Sequence, residues 1–336
     1  MSRVRDLASI LTASSSMATD AEVSAVSAQI PTNVAGKNFF INGGMDIWQR
    51  GTSFTGGQFT ADRWTLAANS GTLTASRSTD VPSNLGFSYS YSMGGTGLNT
   101  QIYTRLESLQ SARFAGQTVT YSVYAKSTAG SSPLSYVGIY PTATDDWSGS
   151  NVTDIQGNFI ATPAGAWTRY SVTFTVNALA TRGYDLRIYR NGTETSTTLL
   201  TGIQLEIGSV ATPFSRAGGN IQGELAACQR YYYRHAVGSM QPVSLAFYWS
   251  ATQLQTTIPF PVTMRAAPTL DATSGTSYYR IGRNSTAQDI NGFALSIASQ
   301  NAADIYNNGQ ASGTAGWAGT LYTINASSYI GFAAEL

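Results

Sequence analysis

Strict two-residue alternation is the feature that most narrows what this chain can fold into. In Thr118-Val-Thr-Tyr-Ser-Val-Tyr-Ala-Lys126, the residues Val119, Tyr121, Val123 and Ala125 share one face. Tyr170, Val172, Phe174 and Val176 do the same in the run from Arg169. Period two is the repeat of a half-buried strand. Further strands are expected at Asn38–Ile41, Arg63–Ala67, Leu73–Arg77, Phe87–Tyr91, Gln101–Leu106, Leu134–Tyr140, Thr168–Val176, Tyr184–Tyr189 and Thr198–Glu206. Turn signals part them: Asn42-Gly-Gly, Gly56-Gly57, Gly94-Gly95, Ala129-Gly130 and Asn191-Gly192, the last suited to a type I′ hairpin. Many short strands at this spacing predict a β-sandwich of jelly-roll type over residues 38–215.

Thr198–Glu206 closes that domain, and Gly208 and Pro213 break it off. Ile221, Leu225, Cys228 and Tyr232 then fall at i, i+4, i+7 and i+11, which predicts a linker helix within 216–239. Residues 240–336 give a second, smaller β domain, with Pro259, Pro261 and Pro268 holding one segment extended. The first 37 residues differ from the rest. Leu7, Ile10 and Leu11 form one helical stripe. A capping box, Thr19 with Glu22, opens a second helix bearing Val23, Val26 and Ile30. Helices of this length are marginal alone and need a surface to cover their stripes. The surface is their own β domain, a partner protein or, in a symmetric bundle, sister chains. The fold class is therefore mainly β: two tandem sandwiches, a short N-terminal helical segment and a linker helix.

Composition excludes several functions. Charged residues are 11% of the chain, against about 25% in ordinary domains, and the net charge is +1. No basic stripe exists for nucleic acid. One cysteine and one histidine, Cys228 and His235, rule out an intrachain disulfide and the zinc spacings. Cys228 lies on the helix stripe as a packed thiol. No apolar run reaches the ~18 residues of a membrane span, so no membrane insertion is expected, and a soluble protein made in cytoplasm fits best. No cofactor is expected.

Several segments resemble a known family. Asn38-Phe-Phe-Ile-Asn-Gly-Gly-Met-Asp-Ile-Trp-Gln-Arg-Gly-Thr-Ser-Phe54 and Thr60-Ala-Asp-Arg-Trp64 resemble the opening of a β-sandwich module in bacteriophage tail fibres and related virion proteins. Gly202-Ile-Gln-Leu-Glu-Ile-Gly-Ser-Val-Ala-Thr-Pro-Phe214 is similar to its closing strand, and Glu224–Tyr233 to the helix after it. Phe260–Pro268 and Phe332-Ala-Ala-Glu-Leu336 are similar to the distal domain of those proteins. Ser2–Ala8 and Ala18–Val23 resemble virion-attachment segments. The resemblance implies a homotrimer docked on other virion proteins through Leu7, Ile10, Leu11, Val23, Val26 and Ile30. It also implies a carbohydrate-binding-like first domain and recognition of a host glycan or receptor. A tail location and a capsid-anchored head fibre or decoration protein both fit. Related modules hold calcium through loop carboxylates, but no EF-hand-like spacing is present and no metal is assigned.

No catalytic motif stands out: HExxH, a Walker A loop and a GxSxG elbow are all missing from the sequence. Asp145-Asp146-Trp147 offers the best carboxylate pair for a polysaccharide depolymerase, if a loop held the acids about 5–9.5 Å apart. A solvated turn is the plainer reading of the same residues. Binding needs less. Aromatic rings cover the C–H faces of a sugar, and acids, amides and guanidinium groups meet its hydroxyls. Two clusters have this mix: Tyr140, Asp145, Asp146 and Trp147 in the first domain, and Tyr278, Tyr279, Arg280, Trp317 and Tyr322, with Arg283 and Asn284, in the second. Trp48 and Trp64 are read as plugs at one end of the first core. Asp46, Arg50, Asp62 and Arg63 are expected to pair among themselves, and Glu206 with Arg216.

Overall fold

The structure is a computed structural model that describes residues 35–128, 134–159, 165–190 and 196–336. The expected N-terminal helices, with Leu7, Ile10, Leu11, Val23, Val26 and Ile30, lie outside the described residues. So do the turns at Ala129-Gly130 and Asn191-Gly192.

The architecture is mainly β, with two tandem sandwich-like pairs of antiparallel sheets and few short helices. The first sheet has six strands in the order Ser53–Thr55, Leu73–Ser78, Ser90–Gly95, Thr198–Ile207, Thr118–Ser127, Thr168–Thr175. The second runs Gln58–Phe59, Thr65–Ala67, Thr100–Leu106, Tyr184–Arg190, Leu134–Pro141, Asn151–Asn158. Number the eight strands from Ser90–Gly95 to Thr198–Ile207 along the chain. The first, eighth, third and sixth are then neighbours in one sheet, and the second, seventh, fourth and fifth in the other. That winding is a jelly roll. The alternating residues of Thr118–Ser127 do what their spacing predicts: Val119, Tyr121, Val123 and Ala125 are buried between the sheets.

The distal pair has a three-stranded sheet, Tyr232–Val237, Tyr329–Ala333, Thr269–Ala272. It packs against a seven-stranded one: Thr286–Ile290, Tyr279–Arg283, Ala318–Thr323, Pro242–Tyr248, Gln253–Pro259, Ala302–Asn308, Ala294–Ala298. Leu254, Ile258, Ile281, Ile305, Leu321 and Phe332 fill the space between them.

Three expectations need correction. Asn38–Ile41 is not a strand. It lies irregularly along Thr198–Ile207, where the Asn38 side chain accepts from Leu205 N (3.1 Å) and donates to Ile203 O (3.0 Å). Gly43 follows, so close to the neighbouring backbone that a Cβ there would stand 2.0 Å from Ile203 O. Gly94-Gly95 is no turn but the end of a strand paired with Leu73 and Thr74, and the Thr72 carbonyl leaves no room for a side chain at Gly95. The linker helix covers only Ile221–Gln229, capped by the Asn220 side chain on Gly223 N. Tyr232 is therefore on a strand of the distal sheet and not on the helix stripe. Cys228 is fully buried beside Ile41, Ile47 and Tyr231.

The junction between the two sheet pairs is joined by polar side chains. Trp64 and Trp48 are buried as expected, their indole N–H groups donating to Asn42 O (3.1 Å) and Met45 O (2.7 Å). The charged residues beside them do not pair with one another. Arg50 and Arg63 both reach Glu335 near the chain's end. Asp46 binds Arg216 (2.8 Å), while Glu206 takes Lys37 and Thr212. The Arg50 guanidinium lies 3.5 Å over Tyr232, and that of Arg63 3.5 Å over Tyr231. Asp62 accepts from Gln49 N (2.9 Å) and from the Gln49 carboxamide. That carboxamide also donates to Tyr232 O (2.7 Å) and accepts from Arg234 N (3.2 Å). These are two of the main-chain groups that Tyr232–Val237, an edge strand, would otherwise offer to a neighbour. Arg230 and Tyr231 bind Glu107 from the other side.

Candidate functional site

The cross-strand register of the second sheet builds a candidate site that no contiguous stretch of sequence displays. Period two puts Ile102, Thr104 and Leu106 inward and Gln101, Tyr103 and Arg105 outward. It likewise turns Leu186 and Ile188 in and Asp185, Arg187 and Tyr189 out. The ladder then aligns Thr65, Tyr103, Arg187, Val137 and Gln156 in one row across the sheet. Arg105, Asp185 and Ile139 form the next row, and Gln101, Tyr189 and Ser135 the row on the other side.

Charge and aromatic surface interleave on this face. Asp185 is fully buried and holds Arg187 at 2.9 Å and Arg105 at 3.8 Å. Burial raises the Asp185 carboxyl above the ordinary range, against the pull of Arg187 and Arg105. Tyr103 lies under both guanidinium groups, 4.9 Å from Arg187 and 5.4 Å from Arg105. Trp147 closes the row at 5.1 Å from Arg105. Four polar atoms here have no hydrogen-bond partner among the described residues: Gln101 Oε1, Asp185 Oδ1, Arg105 Nε and Trp147 Nε1. A depression of about 530 Å³ lies at one end, lined by Tyr189, Val137, Gln156 and Asn158 among others. A recess of about 80 Å³ lies at the other, between Tyr103, Arg105, Phe59 and Leu336.

Of the first-domain residues singled out from sequence, only Trp147 reaches this face. Tyr140 is buried in the core. Asp145 accepts from Ser108 N and Ser108 Oγ, both at 2.7 Å, and so holds the start of the short helix Ser108–Ser111. Asp146 is exposed and accepts from Ser148 N (3.0 Å) and Ser148 Oγ (2.6 Å), a turn closed on itself. The two acids thus hold different partners.

The distal residues separate as well. Tyr279 is fully buried, its hydroxyl donating to Tyr329 O (2.7 Å) and Thr273 O (2.8 Å). Arg280 pairs with Asp289 (2.6 Å) opposite Tyr322, on the outer face of the seven-stranded sheet. Tyr278 packs against the edge of the distal core. Asn284 and Ser285 both have positive φ and make the two-residue hairpin turn. Trp317 is half exposed, with the Arg283 guanidinium 4.9 Å from its ring. Tyr279, Arg280 and Trp317 therefore belong to three different places. Among the described residues no cluster of His, Cys, Asp and Glu could hold a metal ion. No helix among them is long and apolar enough to cross a membrane.

No family model matches the chain, and no curated protein matches it. Among solved structures, it is similar to the enzymatically active domain of tailspike protein 4 of bacteriophage CBA120, at 17% identity and a TM-score of 0.37 over 51% of this chain and 22% of that one. It is also similar to the C-terminal family 22 carbohydrate binding module of Clostridium thermocellum Xyn10B, at 14% identity and 0.36 over 53% and 99%. A third likeness is to the CBM22-2 xylan-binding domain of Paenibacillus barcinonensis Xyn10C, at 13% identity and 0.33 over 46% and 99%. At such scores the sheet winding, rather than any likeness, carries the description of the fold.

Proposed function

We propose that the chain is a virion fibre protein, a tail fibre, that attaches its particle to a host-surface glycan without cleaving it. The contact surface in this reading is the outer face of the second sheet. One observation carries it: Tyr103, Arg187, Arg105 and Trp147 gather on the outer face of one sheet around the buried Asp185, with donors and acceptors left unpaired among the described residues. A sugar ring needs that combination, an apolar plate beside groups that both give and take hydrogen bonds. Weak sites of this kind gain strength through repetition on a symmetric fibre. The tail-fibre resemblance of the sequence supplies the setting. In this proposal the N-terminal stripes carry the homotrimer and virion contacts.

The test is a binding titration of full-length protein against host envelope polysaccharide. Changing Tyr103 and Trp147 to Ala is expected to weaken binding roughly tenfold or more, at about 1 kcal/mol per lost aromatic contact, while the melting temperature holds. Undiminished binding by the double variant would remove this face from consideration.

A further inference from the structure

Another pocket lies between the two sheet pairs, beyond one end of the face just described. It holds about 290 Å³ and is lined by Arg50, Phe54, Gln58 and Phe59 from one side and by Arg234, Asp271 and Tyr329 from the other. That is the scale of one sugar residue rather than of a chain, ligand pockets running from about 300 Å³ upward. Neither domain supplies the lining alone.

The geometry points to this pocket as a binding site for a sugar that bears a carboxylate, a uronic-acid-type unit. Arg234 makes no ion pair within 4.0 Å among the described residues, and its Nε has no acceptor there. Its guanidinium is held 3.9 Å over the Tyr329 ring, so it is positioned without being neutralised. Arg50 spends one edge on Glu335 (3.2 Å) and leaves Nη1 without an acceptor. Two guanidinium groups with unused donors suit a planar carboxylate, which can take two parallel hydrogen bonds. Asp271 is already bound by Tyr232 OH (2.7 Å) and Tyr329 OH (3.2 Å). A carboxylate has about four acceptor sites, so Asp271 keeps room for a hydroxyl, which a sugar brings and a bare carboxylate does not. Phe54 and Phe59 offer the apolar plate. The inference does not depend on the glycan reading of the outer face: Phe59, at the rim of that face, is the one residue that lines both.

The experiment is ligand-observed NMR on full-length protein with three probes: methyl glucuronide, methyl glucoside and acetate. Methyl glucuronide is expected to bind at least tenfold more tightly than either of the others, which lack the carboxylate or the ring. Arg234→Gln should abolish that preference. Gln58→Trp, at an exposed position making no cross-junction contact, should block the glucuronide while leaving the fold unchanged. Equal binding of glucuronide and glucoside would overturn the proposal. So would retained preference in Arg234→Gln or unhindered binding in Gln58→Trp. Loss of binding in the Tyr103 and Trp147 variant alone would place the contact on the outer face instead.

Discussion

Asp62 is the residue at which burial and chemistry pull hardest against each other. Desolvation raises its carboxyl from 3.8 to about 6, and neither Arg50 nor the Gln49 hydrogen bonds offset that. Buried Asp185 and Glu224 are raised too, again by burial first. A carboxyl with a raised folded pKa binds its proton more tightly in the native state. Its stabilising contribution is complete below the unfolded value near 3.8 and is lost as pH rises through about 6. For Asp62 the span corresponds to about 3 kcal/mol. Denaturant midpoints should therefore fall between about pH 4 and pH 6, and the stability difference between wild type and Asp62→Asn should change over that interval. A difference constant across that range would contradict the assignment. Arg187→Met makes the reverse case: it leaves Asp185 buried with only Arg105 nearby, at an expected cost of about 3 kcal/mol in urea unfolding; a cost under about 1 kcal/mol would show that Arg105 suffices. At this scale the sequence was legible for Trp48, Trp64 and Cys228, whose size or apolarity announces burial. It was not legible for the outer face. Tyr103 and Arg105 lie far along the chain from Asp185 and Arg187 and meet them only through strand register, whereas a search for acids beside aromatics along the chain finds Asp145-Asp146-Trp147, a turn and a helix cap.

Among elements, those with clear alternation were readable and those without were not. Thr118–Ser127, Tyr184–Arg190 and Thr198–Ile207 stand where the pattern puts them. Asn151–Asn158 was missed because it is an edge strand of polar residues with little to bury. Asn38–Ile41 looked like a strand because Phe39, Phe40 and Ile41 are all buried, yet it reaches the core by an irregular path fixed by Asn38 and Gly43. That path is intolerant of change. Gly43→Ala should destabilise the protein by on the order of 3 kcal/mol, because the obstacle is a carbonyl oxygen of a central strand and cannot move aside. A thermal melt within a degree of wild type would show that the backbone relaxes there after all.

For the whole molecule, the segments that resemble fibre proteins turn out to converge: Trp48–Arg50, Asp62–Trp64, Tyr231-Tyr232 and Glu335 all meet at the junction. From sequence they read as separate signatures, since nothing in a local pattern reveals that Arg63 waits for a partner 272 positions away. Glu335→Ala strands the Arg63 guanidinium in a site where it is 3% exposed. The expected loss is about 3–5 kcal/mol, and calorimetry should show one unfolding transition becoming two as the sheet pairs come apart. A single unchanged transition would mean that the clamp adds nothing to their coupling.

Gln49 carries a different consequence. Its carboxamide occupies the open rim of the distal sheet at Tyr232 and Arg234. Shortened to Ala, that rim would be free to accept a strand from another molecule. What a stability assay would record as a modest deficit would then surface in storage, as slow, concentration-dependent polymerisation seeded at one vacated amide.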